Sequence, residues 1–143
     1  MRKFIFFIMI IFTSHTLIAE EDTVNNLNGF QWKNRILLLN NPTKAPETMQ
    51  SLLKLGPQFA ERNLLWFVFT KGNIETNYPG KITSDFGTNI KEKFFKGDGE
   101  QVVLIGKDGG VKYRSVKYAP REIFRRIDSM PMRQQEAQDN SSP

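Results

Sequence analysis

Residues 101–112 read Gln-Val-Val-Leu-Ile-Gly-Lys-Asp-Gly-Gly-Val-Lys, an apolar run followed by a glycine-rich turn. The apolar run Gln101–Ile105 is typical of a strand that is covered on both faces. The segment Lys107–Gly110 predicts a tight turn, because glycine readily takes the positive φ that hairpins demand. Residues 111–116 then alternate in character, as on a half-exposed strand. This stretch therefore predicts an antiparallel hairpin at one side of a sheet.

Two further apolar runs precede the hairpin, and helical patterns separate the runs. Residues 35–39 and 64–69 have no polar side chain after Arg35, which fits buried strands. Proline, glycine and capping residues mark the ends of the helical patterns. The predicted order is strand 35–39, a helix from Pro46 interrupted at Gly56-Pro57, strand 64–69, a long loop 71–81, a helix from Ser84 to Phe94, strand 101–105, strand 111–116, and a helix from Pro120 that Pro131 ends.

This order of elements determines the expected fold class. A strand–helix–strand crossover is almost always right-handed, so the first two strands should lie parallel. The hairpin makes the last pair antiparallel, and the helices must cover both faces of the sheet. We therefore predict an α/β protein with the thioredoxin-like three-layer sandwich, built on a mixed four-stranded sheet with helices on both faces.

The two ends of the chain differ in composition from the predicted domain. Met1-Arg2-Lys3 is followed by an apolar stretch that ends at Ala19, the pattern of a secretory signal peptide. The apolar run is shorter than the ~20 residues that a membrane-spanning helix needs. We predict a signal peptide over 1–19, a flexible lead-in over 20–30, the thioredoxin-like domain over 31–133 and a disordered tail over 134–143. The expected location is the periplasm or the medium, with no transmembrane segment after cleavage.

Two stretches of the sequence resemble a known family. Residues 103–112 are similar to the strand–turn–strand of thioredoxin-like and peroxiredoxin-like proteins. Together with residues 127–134, Ile-Asp-Ser-Met-Pro-Met-Arg-Gln, they resemble domain of unknown function 4174. That family occurs in bacterial exported proteins and resembles domains of vertebrate coiled-coil-domain-containing protein 80 and the sushi-repeat proteins. The resemblance covers roughly 31–136 and implies a thioredoxin-like fold, without implying a catalytic residue.

The residue types that are missing exclude several classes of enzyme. The 143 residues include no Cys, and the one His is His15, inside the predicted signal peptide. Thiol–disulfide exchange and peroxide reduction need a thiolate nucleophile, and a Ser-His-Asp triad needs an imidazole. Structural zinc, haem and iron–sulfur sites lack their usual ligands as well. We therefore expect no cofactor, no metal site and no catalytic residue of these kinds.

The loop after the first strand is the first candidate site. In thioredoxin-like enzymes the reactive cysteine lies here, and the resemblance places residues 40–46 at that position. Free amide hydrogens and the helix dipole favour an anion at the start of the following helix. We predict a small polar ligand pocket formed by Asn40, Asn41, Thr43 and Lys44. The alternative is that these residues only cap the helix and turn the chain.

The C-terminal part of the domain is the second candidate site, because it is basic. Between Lys107 and Arg133 there are eight Lys or Arg against three Asp or Glu, a local charge of +5. Such a surface suits an acidic protein or an anionic envelope component, although a solvated face is the alternative. Without a nucleic-acid-binding motif, specific nucleic-acid binding is not expected. The predicted basic surface consists of Lys112, Arg114, Arg121, Arg125, Arg126 and Arg133.

These observations favour an exported binding module over an enzyme. The predicted partner is anionic or a protein, and its identity stays open. Two alternatives remain at this level. One is an enzyme that uses carboxylate, Lys or Tyr groups, or has a redox-related role. The other is a structural protein of the envelope or matrix.

Overall fold

The computed structural model describes residues 23–141, so the predicted signal peptide 1–19 lies outside the described residues. A five-stranded sheet and a two-stranded pair organise the chain. The strands are β1 (Thr23–Val24), β2 (Arg35–Asn40), β3 (Leu64–Thr70), β4 (Asn73–Thr76), β5 (Lys81–Ile82), β6 (Gln101–Ile105) and β7 (Val111–Ser115). The helices are α1 (Ala45–Lys54), α2 (Gly56–Glu61), α3 (Phe86–Phe94), α4 (Pro120–Asp128) and α5 (Pro131–Asp139), with a 3-10 turn at Asn28–Phe30.

The main sheet has the strand order β4-β3-β2-β6-β7. β2 and β3 are parallel, with Arg35 opposite Leu64. β6 runs antiparallel to β2, and β7 forms the predicted hairpin with β6. The α/β class, the mixed sheet and the thioredoxin-like arrangement are thereby confirmed.

The prediction of four strands was wrong by one strand. Thr70 pairs with Asn73, so β3 and β4 form a hairpin with the two-residue turn Lys71-Gly72. Gly72 has φ +76°, a conformation that glycine adopts at little cost. Because Ile74 is the single apolar residue of β4, the alternation that reveals a strand is too weak there, and the segment was predicted as a loop.

The two faces of the sheet form separate layers of core. Alternate side chains of each strand point to opposite faces, so Leu37 and Leu39 belong to one layer and Ile36 and Leu38 to the other. The first layer packs against α1, α2 and α4, and its helix residues include Leu52, Phe59, Ile123 and Ile127. The second layer packs against α3 and is rich in phenylalanine: Phe67, Phe69, Phe86, Phe94 and Phe95. This is the predicted three-layer sandwich.

Both ends of the described chain are more ordered than predicted. Within the predicted flexible lead-in, β1 pairs with β5 and Phe30 is buried in the core. Within the predicted disordered tail, residues 131–139 form α5. The helix from Pro120 ends at Asp128, before Pro131 as expected, and Pro131 also occupies the first turn of α5, where a missing amide hydrogen costs nothing. Among residues 23–141, none of the helices is both long and apolar enough to cross a bilayer.

Candidate functional site

The predicted pocket residues Asn40 and Asn41 hold a neighbouring loop in place. β2 ends at Asn40, which is buried, and its Nδ2 donates to the carbonyl of Gly99 at 3.1 Å. Asn41 has φ +42°, a conformation that asparagine tolerates, and its Nδ2 donates to the carbonyl of Asp98 at 2.9 Å. Both amides therefore fasten the loop before β6. This arrangement matches the alternative to ligand binding, in which these residues only cap the helix and turn the chain.

Glu100 lies in front of the first helix, where an anionic ligand was expected. Its Oε2 accepts hydrogen bonds from the backbone amide of Thr43 at 3.2 Å and from the Thr43 hydroxyl at 2.5 Å. A carboxylate in this position also suits the positive end of the α1 dipole. The protein's own side chain thus takes the contacts that the sequence assigned to a ligand.

Thr43 and Lys44 line a groove of about 540 Å³ beside this contact. The opposite wall comes from Lys117 and Tyr118, which precede α4. The Tyr118 hydroxyl lies 3.4 Å from the Ser51 hydroxyl, and burial raises the pKa of Tyr118 although the Ser51 contact opposes the shift. Of the four predicted pocket residues, the groove therefore brings two together. Its full lining is Thr43, Lys44, Glu47, Thr48, Ser51, Glu100, Lys117, Tyr118 and Pro120.

Asn40 faces a different, smaller cavity of about 270 Å³ next to α3. Its Oδ1 is buried and has no hydrogen-bond partner among residues 23–141. Lys91, Glu92 and Phe95 are among the residues that line this cavity. Thr43 and Lys44 therefore line one groove, Asn40 lines a separate cavity, and Asn41 lines neither.

The predicted basic surface is interrupted by burial and by ion pairs. Arg133 is only 6% exposed, so it does not belong to a surface. It is buried because its guanidinium binds the carboxylates of Glu61 at 2.5 Å and Asp128 at 3.5 Å. Arg114 donates to the carbonyl of Phe94 at 2.7 Å. Its guanidinium thus joins the β7 edge to the end of α3.

The remaining residues of the predicted basic surface differ in whether an acidic side chain binds them. Glu122 binds both Arg125 at 2.5 Å and Arg126 at 2.7 Å, and these hydrogen bonds hold the pKa of Glu122 below its ordinary value. Lys112 binds Asp108 at 2.6 Å across the hairpin turn. Arg121 is exposed. The six predicted residues therefore do not form one continuous cationic face.

A second cavity, of about 440 Å³, lies at the opposite end of the sheet, where β2 begins and the hairpin turns. Arg35 forms part of its wall although the side chain is only 1% exposed. One guanidinium nitrogen, Nη1, donates to the carbonyl of Arg62 at 2.9 Å. We call this space the Arg35 cavity. Its lining is Arg35, Gly106, Lys107, Asp108, Lys112, Arg126, Ser129, Met130, Pro131 and Met132.

Glu136 of α5 connects the two most buried cations of this cavity. It accepts from Arg35 Nη1 at 3.0 Å and Nη2 at 3.3 Å, a two-pronged contact, and from Lys107 Nζ at 2.7 Å. Burial by itself raises the pKa of Glu136, but the bonds from Lys107 and Arg35 outweigh it and the pKa lies below its ordinary value. Arg35 Nε has no hydrogen-bond partner among residues 23–141.

A neighbouring cluster of ions attaches α5 to α2 and α4. Asp128 accepts from Arg62 at 2.8 and 2.9 Å as well as from Arg133. Burial raises the pKa of Asp128, and the two arginines more than reverse this, so the pKa is lowered. Since α5 contributes charged and polar contacts, these ion pairs explain how a helix without an apolar stripe remains docked.

The hairpin turn places Lys107, Asp108 and Lys112 at the cavity. A side chain at Gly106 would meet Lys112 Cε at 2.6 Å and Asp108 Oδ1 at 2.9 Å, so the ends of these two side chains would have to shift to admit it. Asp108 Oδ1 also accepts from the Gly110 amide at 3.0 Å. Binding to Lys112 is the main reason that the pKa of Asp108 lies below its ordinary value.

Comparison with known proteins identifies the family of the chain. The sequence profile of domain of unknown function 4174 matches residues 26–136. The chain belongs to this family. The two stretches that carried the resemblance, residues 103–112 and 127–134, meet at the Arg35 cavity, to which both contribute lining residues. No curated protein matches the chain.

Two solved structures are similar to the fold. The reduced 2-Cys peroxiredoxin of Plasmodium vivax superposes with a TM-score of 0.56 and 22% identity, covering 76% of this chain and 72% of that one. The mitochondrial 2-Cys peroxiredoxin of Plasmodium falciparum gives a TM-score of 0.50 and 18% identity, covering 71% of this chain and 77% of that one. At these identities the likeness shows a common fold.

Within residues 23–141, no group of three or more His, Cys, Asp or Glu side chains is placed to hold a metal ion. At the candidate sites Glu100 is bound by Thr43, and Glu136 by Arg35 and Lys107.

Proposed function

We propose that this protein is an exported, non-catalytic binding module whose partner is an anionic molecule or an acidic protein. The observation that carries the proposal concerns the loop after β2, where thioredoxin-like enzymes hold their reactive cysteine. The chain has no cysteine at all, and Glu100 takes both polar contacts of Thr43 at that position. A thiolate nucleophile cannot be supplied by this chain.

The preference for an anionic partner is supported by the distribution of charge. The chain carries 20 Lys or Arg against 15 Asp or Glu. Four cationic side chains line the Arg35 cavity, and the three acids Asp108, Glu122 and Glu136 bind them. Long-range attraction between such a region and an acidic partner raises the association rate and weakens as salt increases.

Export is proposed from residues 1–19. Their order, a cationic start, an apolar run and a small residue at position 19, is that of a cleaved signal. Expression of the full chain in a Gram-negative bacterium, fractionation and N-terminal sequencing test this proposal. The expected product is extracytoplasmic and begins at Glu20, whereas an uncleaved chain in the cytoplasm would contradict it.

The binding role is tested by two measurements on the purified exported protein. Insulin reduction with dithiothreitol and hydroperoxide consumption should both equal the rates without protein, because neither reaction has a nucleophile here. Immobilised protein should retain a defined acidic component of the host envelope and release it as salt rises from 50 to about 500 mM. Reproducible turnover, or retention that salt does not change, would count against an anion-binding module.

A further inference from the structure

We propose that the end of the sheet that carries the hairpin turn binds an anionic lipid surface, with the ring of Trp32 among the lipid head groups. We call this surface the turn end and define it by the exposed residues Trp32, Lys33, Val111, Lys112 and Met132. The inference deepens the proposed function and rests on it, because it names the anionic partner as a lipid surface.

The first observation is the way in which Trp32 is held in solvent. Its side chain is 64% exposed, whereas Trp66, the other tryptophan of the chain, is 4% exposed. Trp32 has φ +65°, a conformation that residues other than glycine and asparagine seldom adopt. The Trp32 amide donates to the carbonyl of Lys107 at 2.6 Å, and the side chain of Gln31 donates to the carbonyl of Asp108 at 2.9 Å. The loop is therefore fastened to the hairpin turn while its largest apolar side chain remains in solvent.

The second observation is that exposed apolar side chains from three separate segments lie at this end of the sheet. Val111 directly follows the turn and pairs with Ile105, the last residue of β6. Met132 is 40% exposed and lines the Arg35 cavity together with Lys107, whose carbonyl holds Trp32. A loop, a hairpin and a helix therefore each contribute one apolar side chain. A planar, deformable surface can contact all three at once, and tryptophan is enriched where a bilayer meets water because its ring is amphipathic.

The third observation is that positive charge remains at the turn end after its ion pairs are considered. The acids near this end are bound by cations of the same protein: Asp108 by Lys112, Glu122 by Arg126, Asp128 by Arg62, Glu136 by Arg35 and Lys107, and Glu61 by Arg133. Six cations are thus joined to five acids, and Lys33, exposed beside Trp32, belongs to none of these pairs. Positive charge next to exposed apolar side chains is the combination by which proteins attach to anionic bilayers.

Vesicle binding by the purified exported protein tests this proposal. Vesicles of phosphatidylglycerol and phosphatidylcholine should shift the tryptophan emission to shorter wavelength and protect it from acrylamide, because Trp32 leaves water while Trp66 is already buried. Vesicles of phosphatidylcholine alone should bind at least about tenfold more weakly, and binding should weaken as salt rises from about 50 to about 500 mM. Equal binding to both kinds of vesicle, or binding without a change in the Trp32 emission, would overturn the proposal.

Two matched pairs of variants localise the contact, with vesicle sedimentation as the readout. Trp32→Ala should weaken binding about tenfold, because it removes the ring that enters the interface. Its control is Val116→Ala, since Val116 is 68% exposed but follows β7 at the opposite end of the sheet. Lys33→Gln should weaken binding about fivefold. Its control Lys96→Gln removes the same charge from an exposed residue of the segment before β6, at that opposite end.

The outcomes separate this inference from the proposed function. Equal affinities of Trp32→Ala and Val116→Ala, or of the two lysine variants, would overturn the assignment of the lipid contact to the turn end. Retention of an acidic envelope protein without any binding to anionic vesicles would overturn the lipid inference and leave the broader binding function standing. Loss of both kinds of binding would count against the proposed function as well.

Discussion

The attachment of α5 through Glu136 leads to a quantitative prediction about stability. Glu136→Gln replaces the carboxylate that binds Arg35 and Lys107, whose side chains are only 1% and 11% exposed. The guanidinium of Arg35 would then remain buried without an anionic partner. Removing one partner of a buried ion pair typically costs about 3–5 kcal/mol. Because Glu136 itself is 24% exposed, water can partly replace it, and we expect about 3 kcal/mol.

Urea unfolding followed by circular dichroism measures this loss. With a slope of about 1.5 kcal/mol per M for a domain of this size, the midpoint should fall by about 2 M. Glu122→Gln is a suitable control, because Glu122 is an acid of α4 whose partners Arg125 and Arg126 are exposed. The control should leave the midpoint nearly unchanged, since exposed ion pairs contribute little.

A local readout is needed because α5 could detach before the sheet unfolds. Hydrogen exchange should show that protection over residues 131–139 falls in Glu136→Gln while protection in β2 and β6 decreases less. If Glu136→Gln kept both the wild-type urea midpoint and the wild-type protection in α5, the idea that this ion pair docks the helix would be refuted.

Three further predictions concern pH, the first candidate site and the hairpin. Since the folded pKa of Glu136 is depressed below 4.5, its contribution to stability is complete above pH 4.5 and is lost as pH falls through the folded pKa. In Glu136→Gln, the free energy of unfolding should therefore fall less steeply with acidification than in the wild type. Glu100→Gln should cost about 1 kcal/mol in urea unfolding and allow phosphate to shift the Thr43 amide in NMR spectra, an effect absent from the wild type. Gly109→Ala, at φ +81°, should cost about 1–2 kcal/mol, whereas Gly99→Ala, in open space, should be nearly neutral. Equal midpoints for the two glycine variants would contradict the turn assignment.

The sequence predicted those parts of the fold in which buried apolar side chains form a recognisable pattern. The runs in β2, β3 and β6 are buried on both faces, so they are continuous in the sequence. The hairpin was visible because its turn needs glycine at a positive φ. β4 and α5 were missed for the opposite reason. β4 lies at a sheet edge with one apolar residue, and α5 is held by ion pairs, which leave no periodic pattern.

The candidate sites were only partly predictable, because their contacts join distant parts of the chain. Thr43 and Lys44 were found from the position of a helix start, but Glu100 lies 57 residues beyond Thr43 and nothing local marks it. Arg35 was counted only as the first residue of a strand. Its burial depends on Glu136, 101 residues later, in a segment predicted to be disordered. Burial of a charge cannot be read from sequence until its partner is known.

Each end of the sheet leaves a buried polar atom without a hydrogen-bond partner among residues 23–141: Asn40 Oδ1 at the end where β2 meets α1, and Arg35 Nε at the other end. At the end where β2 meets α1, Glu100 satisfies the amide and hydroxyl of Thr43. At the other end, Arg35 Nε is buried without a partner, which costs on the order of 1–3 kcal/mol in the free protein. The carboxylates at both ends are likewise bound within the protein, Glu100 by Thr43 and Glu136 by Arg35 and Lys107, so each end of the sheet is held by contacts between distant segments of the chain.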